Sequence, residues 1–198
     1  MRLGDVANKR HTLDLVKASI NEAYEILCET TGCYETSATM SLATSRIYSI
    51  PSELFKVRFI YNTQTGFWLV PTSIGELDAG YWRWRINSGT PDRFYIQGLH
   101  KIGLYPKSDV ATGTVVLYGS GQAPALSADA DEPCFPEEFQ DALEHYAVYD
   151  RLVDDGEVEK GLMAYGQFTQ HEADLENYVN DRGWDASMIV VGDGSSNL

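Results

Sequence analysis

Thr12-Leu-Asp-Leu-Val-Lys-Ala-Ser-Ile-Asn-Glu-Ala-Tyr-Glu-Ile-Leu-Cys-Glu-Thr-Thr-Gly32 is the stretch on which the architecture turns. Leu13, Val16, Ile20, Ala23 and Leu27 recur at alternating spacings of three and four, the period of an amphipathic helix. Thr12 suits an N-cap, Asp14 complements the positive end of the first turn, and Gly32 follows the end. The pattern predicts a helix over about residues 12–29, with a shorter helical turn before it around Leu3 to Arg10. Such a helix has one apolar stripe and no partner beside it in the chain. Alone it is marginal in water, so it must pack on something distant.

The segment that follows is not that partner. From Thr36 to about Gly121, Thr, Tyr, Phe, Val and Ile dominate, with Gly or Pro between short runs. The runs read as strands are Thr39–Ala43, Arg46–Ile50, Leu54–Tyr61, Gly66–Leu69, Tyr81–Ile86, Arg93–Gln97, His100–Tyr105 and Thr114–Gly119. Short strands with regular turn signals predict an antiparallel sandwich or small barrel, and Gly98 predicts a hairpin between the sixth and seventh runs. After a loop over residues 122–135, helix returns. Pro136 suits a first helical position, and Phe139, Leu143, Tyr146 and Ala147 form a stripe. Asp154-Asp155-Gly156 breaks it, and Val158, Leu162, Tyr165, Phe168, Leu175 and Val179 continue to about Arg182, where Gly183 ends the helix. These two helices offer the stripes the first one needs. The expected fold is α+β: a helical bundle from the N- and C-terminal helices with an inserted antiparallel β-sandwich or barrel-like domain. The expected divisions are residues 1–35, 36–121, 122–183 and an extended tail, 184–198.

Charge follows the same division. The 198 residues carry a net charge of −14, yet residues 1–128 hold 12 bases and 11 acids, whereas residues 129–185 hold 3 bases and 17 acids. A chain without a basic stripe is a poor candidate to grip duplex DNA or an anionic membrane. No apolar run reaches the length of a membrane-spanning helix, and Met1-Arg2-Leu3-Gly4-Asp5 lacks a signal-peptide core. The three cysteines, Cys28, Cys33 and Cys134, are odd in number, which predicts reduced thiols in a cytosolic setting. Cys28 and Cys33 have no histidine near them, and structural zinc wants four ligands in short paired spacings. They read as small hydrophobes, and no metal or cofactor is expected.

No catalytic motif is present, so an enzyme is not expected. Gly119-Ser-Gly121 is a turn and not a phosphate loop. Glu144-His145 and His171-Glu172 could pair as acid and base, but read as surface histidines on acidic helices. Asp129, Asp131 and Glu132 lack the ligand series of a calcium loop. In Tyr81-Trp-Arg-Trp-Arg-Ile86, strand period would put Trp82, Trp84 and Ile86 on one face and Tyr81, Arg83 and Arg85 on the other. Three readings stand: a strand with Trp in the core, a protein interface built on Trp82, Arg83, Trp84 and Arg85, and a sugar- or base-stacking platform.

Four segments in order then carry a resemblance. They are Ile20-Asn-Glu-Ala-Tyr24; Arg46-Ile-Tyr-Ser-Ile-Pro-Ser-Glu-Leu-Phe-Lys-Val-Arg-Phe-Ile60; Phe94-Tyr-Ile96 with Lys101-Ile-Gly-Leu-Tyr-Pro106 and Thr114-Val-Val-Leu-Tyr118; and Leu126-Ser127 with Phe135-Pro-Glu-Glu-Phe139 leading into Tyr146-Ala147. Over about residues 12–180 the chain resembles the head–tail adaptor (connector, or head-completion) proteins of tailed bacteriophages. The resemblance implies a structural virion protein of the neck, assembled in the host cytoplasm as a homo-oligomeric ring of twelve. That ring would sit under the portal protein ring, meet neck and tail proteins, and form part of the DNA channel. DNA would be passing cargo only, and no membrane is involved. By the same analogy Trp184, Met188, Ile189, Val190 and Val191 are candidates for portal contact. Carboxylates facing a lumen repel phosphate, and Glu137, Glu138, Asp141, Glu144 and Asp150 are the candidate channel lining. The same acids could instead pair with Arg83 and Arg85 of a neighbouring copy. The alternatives are a neck or stopper protein of the same virion, and a carbohydrate-binding module using Trp82 and Trp84.

Overall fold

The computed structural model describes residues 11–109, 112–128 and 130–182. Residues before His11 and from Gly183 onward lie outside them, and with them the turn at Leu3 to Arg10, Trp184 and Met188 to Val191. The chain is mixed α+β and divides into two compact units. One takes residues up to 33 and from 126 onward, the other residues 34–125.

The first unit begins with α1 (Leu13–Thr31). Thr12 caps it, its hydroxyl accepting from the Leu15 N–H, and Gly32 closes it at φ 67°, a left-handed conformation that glycine adopts without strain. A 3-10 turn (Glu137–Phe139) leads into α3 (Asp141–Asp154), and α4 (Val158–Asp181) follows after a short break. α1 packs on both, and α3 packs on α4. Ring contacts pair Phe139 with Tyr178, Tyr146 with Phe168 and Tyr149 with Tyr165, so α3 and α4 run antiparallel.

Three details differ from the sequence pattern. On α1 the buried face is Ser19, Ala23, Tyr24, Leu27, Cys28 and Thr31, and Leu13 is exposed. Ser19 belongs inside because its hydroxyl bonds the Leu15 carbonyl and Asp150 (2.7 Å), joining α1 to α3. On α4 the buried residues are Gly161, Ala164, Phe168 and Leu175, whereas Val158 and Leu162 face solvent. α3 passes so close at Gly161 that a Cβ there would lie 3.1 Å from Val153 Cγ2. Helix approach therefore selects small residues over the largest apolar ones. Pro136 sits at the cap of the 3-10 turn in extended conformation and not at a first helical position.

In the second unit β1 (Glu35–Ser41), β3 (Leu54–Asn62), β4 (Phe67–Trp68) and β10 (Thr114–Gly121) form one antiparallel sheet in the order β1-β10-β3-β4. β2 (Ile47–Ser49), β5 (Val70–Pro71), β7 (Arg93–Gln97) and β8 (Lys101–Tyr105) form a second, ordered β2-β8-β7-β5. The β7–β8 hairpin pairs Phe94 with Leu104 and turns at Gly98 (φ 68°). Not every pair is antiparallel: β5 runs parallel to β7, as does the short β6 (Ser88–Gly89) to β9 (Lys107–Ser108). Met40, Leu42, Leu54, Ile60, Leu69, Phe94, Ile102, Leu104, Val115 and Leu117 make one buried cluster fed by both sheets. Near the end of β10 the pairing with β3 slips, and there a Cβ on Gly119 or Gly121 would collide with the Lys56 or Glu53 carbonyl.

The expected strand Tyr81–Ile86 is not a strand. Residues 74–80 form α2 (Ile74–Gly80), started by a capping box in which Ser73 and Glu76 exchange side-chain and backbone hydrogen bonds. A run of turns follows, with Arg83 at φ 57°.

Candidate functional site

The turn after α2 separates the two tryptophans that strand period would have aligned. Trp84 is 4% exposed, packed edge-on to Tyr95 and Tyr105, and its indole N–H donates to Asp78 (2.7 Å). Arg46 and Arg85 stack over its ring at 4.9 and 4.7 Å. Arg85 also grips Asp78 with both terminal nitrogens, and with Trp84 holds that carboxyl below its usual range. Trp82, at 88% exposed, projects alone beside exposed Arg83. A platform of Trp82 and Trp84 is therefore absent, because one of its two rings is core.

A different aromatic face was missed. Trp68 lies against Phe59, Tyr61 and Tyr118, with ring centroids 5.2–6.1 Å apart, on the side of the first sheet opposite the buried cluster. Trp68 is 52% exposed and Phe67 72%. Its signal in the sequence is the alternation of Phe59 and Tyr61 about Ile60, joined by Tyr118, which pairs opposite Phe59 across the sheet. The strand that delivers Trp68, Phe67–Trp68, lies within the run read over Gly66–Leu69, but its pairing beside Tyr61 is set by the turn and not by periodicity.

The acids of the helical unit split into two kinds. Glu137, Glu138, Asp141 and Glu144 are exposed along the 3-10 turn and the start of α3. Asp150 is half-buried and engaged: burial alone would raise its carboxyl, but Arg151 and Ser19 outweigh that and hold it below the usual range. Arg151 is itself 8% exposed and bridges Asp150 to Asp154. Asp131 accepts from the Ser127 N–H, the Ser127 hydroxyl and the Ala128 N–H, so it shapes its loop. Asp129 lies outside the described residues.

Exposed acids also crowd the far end of α4. Asp174, Glu176 and Asp181 stand there with no base in its last turn. Carboxylates near a helix C-terminus oppose the macrodipole, whereas those at the start of α3 complement it. The antiparallel pairing brings both groups to one end of the helix pair. Between them, His145 of α3 stacks on His171 of α4 at 5.4 Å. Burial, and then the charge of His171, push the His145 imidazole down.

The cysteines do not remain three separate small hydrophobes. Gly32 reverses the chain so that Cys33 returns toward Cys28, and Cys134 comes in from 101 residues away. The Sγ atoms of Cys28, Cys33 and Cys134 lie 3.7, 3.8 and 3.9 Å apart. Thiol donors from Cys28 and Cys33 pull Cys134 down to about 3, while Cys33 is pushed up to about 11, chiefly by its contact with Cys134. Among the described residues this is the one group of three or more His, Cys, Asp or Glu side chains that converges as metal ligands would.

No helix among the described residues is long and apolar enough to cross a membrane. A family model described as SU10 adaptor protein matches residues 2–191. No curated protein matches the chain.

Proposed function

The chain belongs to the SU10 adaptor protein family, phage structural adaptors and not enzymes, and from that premise we propose that it forms a ring beneath the portal. In this reading the helical unit is a bundle, residues 34–125 are an inserted sandwich, and about twelve copies join the DNA-filled head to the tail. The reading rests most on where the acids stand. Glu137, Glu138, Asp141 and Glu144 are exposed, as are Asp174, Glu176 and Asp181, of which Asp181 in the last turn of α4 opposes the dipole of its own helix. Charge kept against local stability suits a surface that must repel phosphate, as the wall of a DNA channel must. Asp150 is withdrawn from that wall, because it is bound to Ser19 and Arg151.

Contacts between copies fall to Trp82 and Arg83, which project from the turn after α2, with Trp84 and Arg85 as its fixed footing on Asp78. The Trp68 face is a second candidate for the same role. Trp184 and Met188 to Val191, which lie outside the described residues, remain the proposed portal contact on the apolar character of their sequence. A stopper one ring further from the head is the competing position in the same virion.

The deciding experiment mixes purified protein with portal rings and images the product by electron microscopy. A ring stacked coaxially on the portal supports the adaptor. No complex with portals, together with binding to preassembled portal–adaptor necks, would assign the stopper position. Deleting residues 184–198 should abolish portal binding in protein that far-UV spectroscopy shows is still folded.

A further inference from the structure

The loop carrying Cys134 is laid along α1 by a series of contacts. Asn21 exchanges two hydrogen bonds with the Leu126 backbone (2.7 and 3.0 Å), and the Tyr24 hydroxyl accepts from the Cys134 N–H (3.0 Å). The Phe135 ring rests on Tyr24. These fix the backbone on both sides of the thiol before any sulfur is considered. On the helix side, Cys28 is buried in α1, and the left-handed Gly32 sets the return of Cys33. Each ligand position is thus held by elements that do not depend on the sulfurs.

The triangle itself has a particular size. Sulfurs about 2.3 Å from a tetrahedral zinc ion lie about 3.8 Å apart. The three observed separations are 3.7, 3.8 and 3.9 Å. A disulfide would need one pair at about 2.05 Å and would leave the third thiol aside, whereas here no pair is favoured. Cys134 is exposed, so the cluster has a path for an entering ion and room for a fourth ligand from solvent. Three thiolates and a divalent cation carry a net charge of −1, far less than three bare thiolates, in a chain already at −14.

We infer that Cys28, Cys33 and Cys134 bind one thiophilic divalent cation per chain, with zinc as the natural occupant and water in the fourth position. Binding ties the acidic loop to the end of α1 across 106 residues of sequence. It therefore stabilises the helical unit by mass action.

The test uses full-length protein, reduced and stripped with chelator. Co²⁺ titration should give a thiolate-to-cobalt charge-transfer band saturating at one equivalent and displaced by Zn²⁺. Cys28→Ser and Cys134→Ser should each weaken Zn²⁺ by more than about tenfold, since even outer-shell changes at such sites cost that much. Far-UV spectra identify a misfolded variant, and the exposed Cys134→Ser keeps the test decisive if Cys28→Ser unfolds. Zn²⁺ should raise the Tm of the native chain and not of Cys134→Ser. Absence of the band in folded, reduced protein overturns the inference. So does zinc binding of equal strength in folded Cys134→Ser, or a thiol count showing that one pair is a disulfide in protein kept under reducing conditions.

Discussion

At the scale of the residue, Trp84 and Gly103 carry the second unit's smaller core. Trp84 packs with Leu77, Tyr95 and Tyr105. Trp84→Ala should cost about 3–5 kcal/mol in urea unfolding, as large aromatic truncations do. Gly103 lies under the Tyr95 ring, where a Cβ would fall 2.1 Å from Cζ. Gly103→Ala must displace that ring and should destabilise by about 1–3 kcal/mol, the range for overpacking. Arg83→Glu touches neither feature, so it should impair ring formation while leaving monomer Tm unchanged. Arg85→Glu is a poorer probe, because it also removes the grip on Asp78. Alternation of Trp and Arg mimicked a strand because period two was the only pattern visible there. What overrode it was Asp78, seven residues before Arg85, offering one carboxylate to both Trp84 and Arg85.

At the scale of the element, the two ends of α1 and the break between α3 and α4 were legible, whereas the start at Pro136 was not. Thr12 and Gly32 fall where side chain and backbone freedom place them, and the break read at residues 154–156 falls one residue later, at 155–157. The β7–β8 hairpin was equally plain, because Gly98 supplies the positive φ its turn needs. α2 was missed although Ser73 and Glu76 stand in capping-box spacing, since Gly75 and Gly80 in so short a helix mask its propensity. The faces of α1 and α4 were less legible than their lengths. Close approach favours Ser19, Gly161 and Ala164, which hydropathy undervalues. The cysteine cluster was invisible for a different reason: its third member is brought in by tertiary structure alone. The C-terminus of α4 offers a test of charge kept against stability. Asp181→Lys should stabilise by about 0.3–1 kcal/mol at low salt, an effect that shrinks as salt rises, and Glu176→Lys, more than a turn inside the end, by less. Unchanged stability in both would remove the argument that those acids are held there for another purpose.

At the scale of the whole molecule, charge and protonation set the conditions of use. Replacing Glu137, Glu138, Asp141 and Glu144 with lysine shifts the net charge from −14 to −6 and should create salt-sensitive retention on duplex DNA that the native chain lacks. Acidification should act through His145. Its folded value lies below the ordinary 6.5, so the unfolded chain takes up the proton first. Its contribution is complete above about pH 6.5 and is lost as pH falls toward the lowered folded value. His171 works with burial in this, while Asp141 and Glu144 oppose it. Tm measured between pH 7.5 and 5 should fall less steeply in His145→Gln than in the native chain.

The division of the helical unit between the two ends of the chain also has a consequence in time. Translation completes α1 at residue 31 and α4 only at residue 181. At about 5–20 residues per second, roughly 8–30 s separate the two. For most of that interval, until α3 is complete at residue 154, α1 presents an apolar face with nothing of its own to cover it. On a crowded polysome the α3–α4 pair of an older chain offers a matching surface, and exchange of α1 between neighbours becomes the natural error of synthesis.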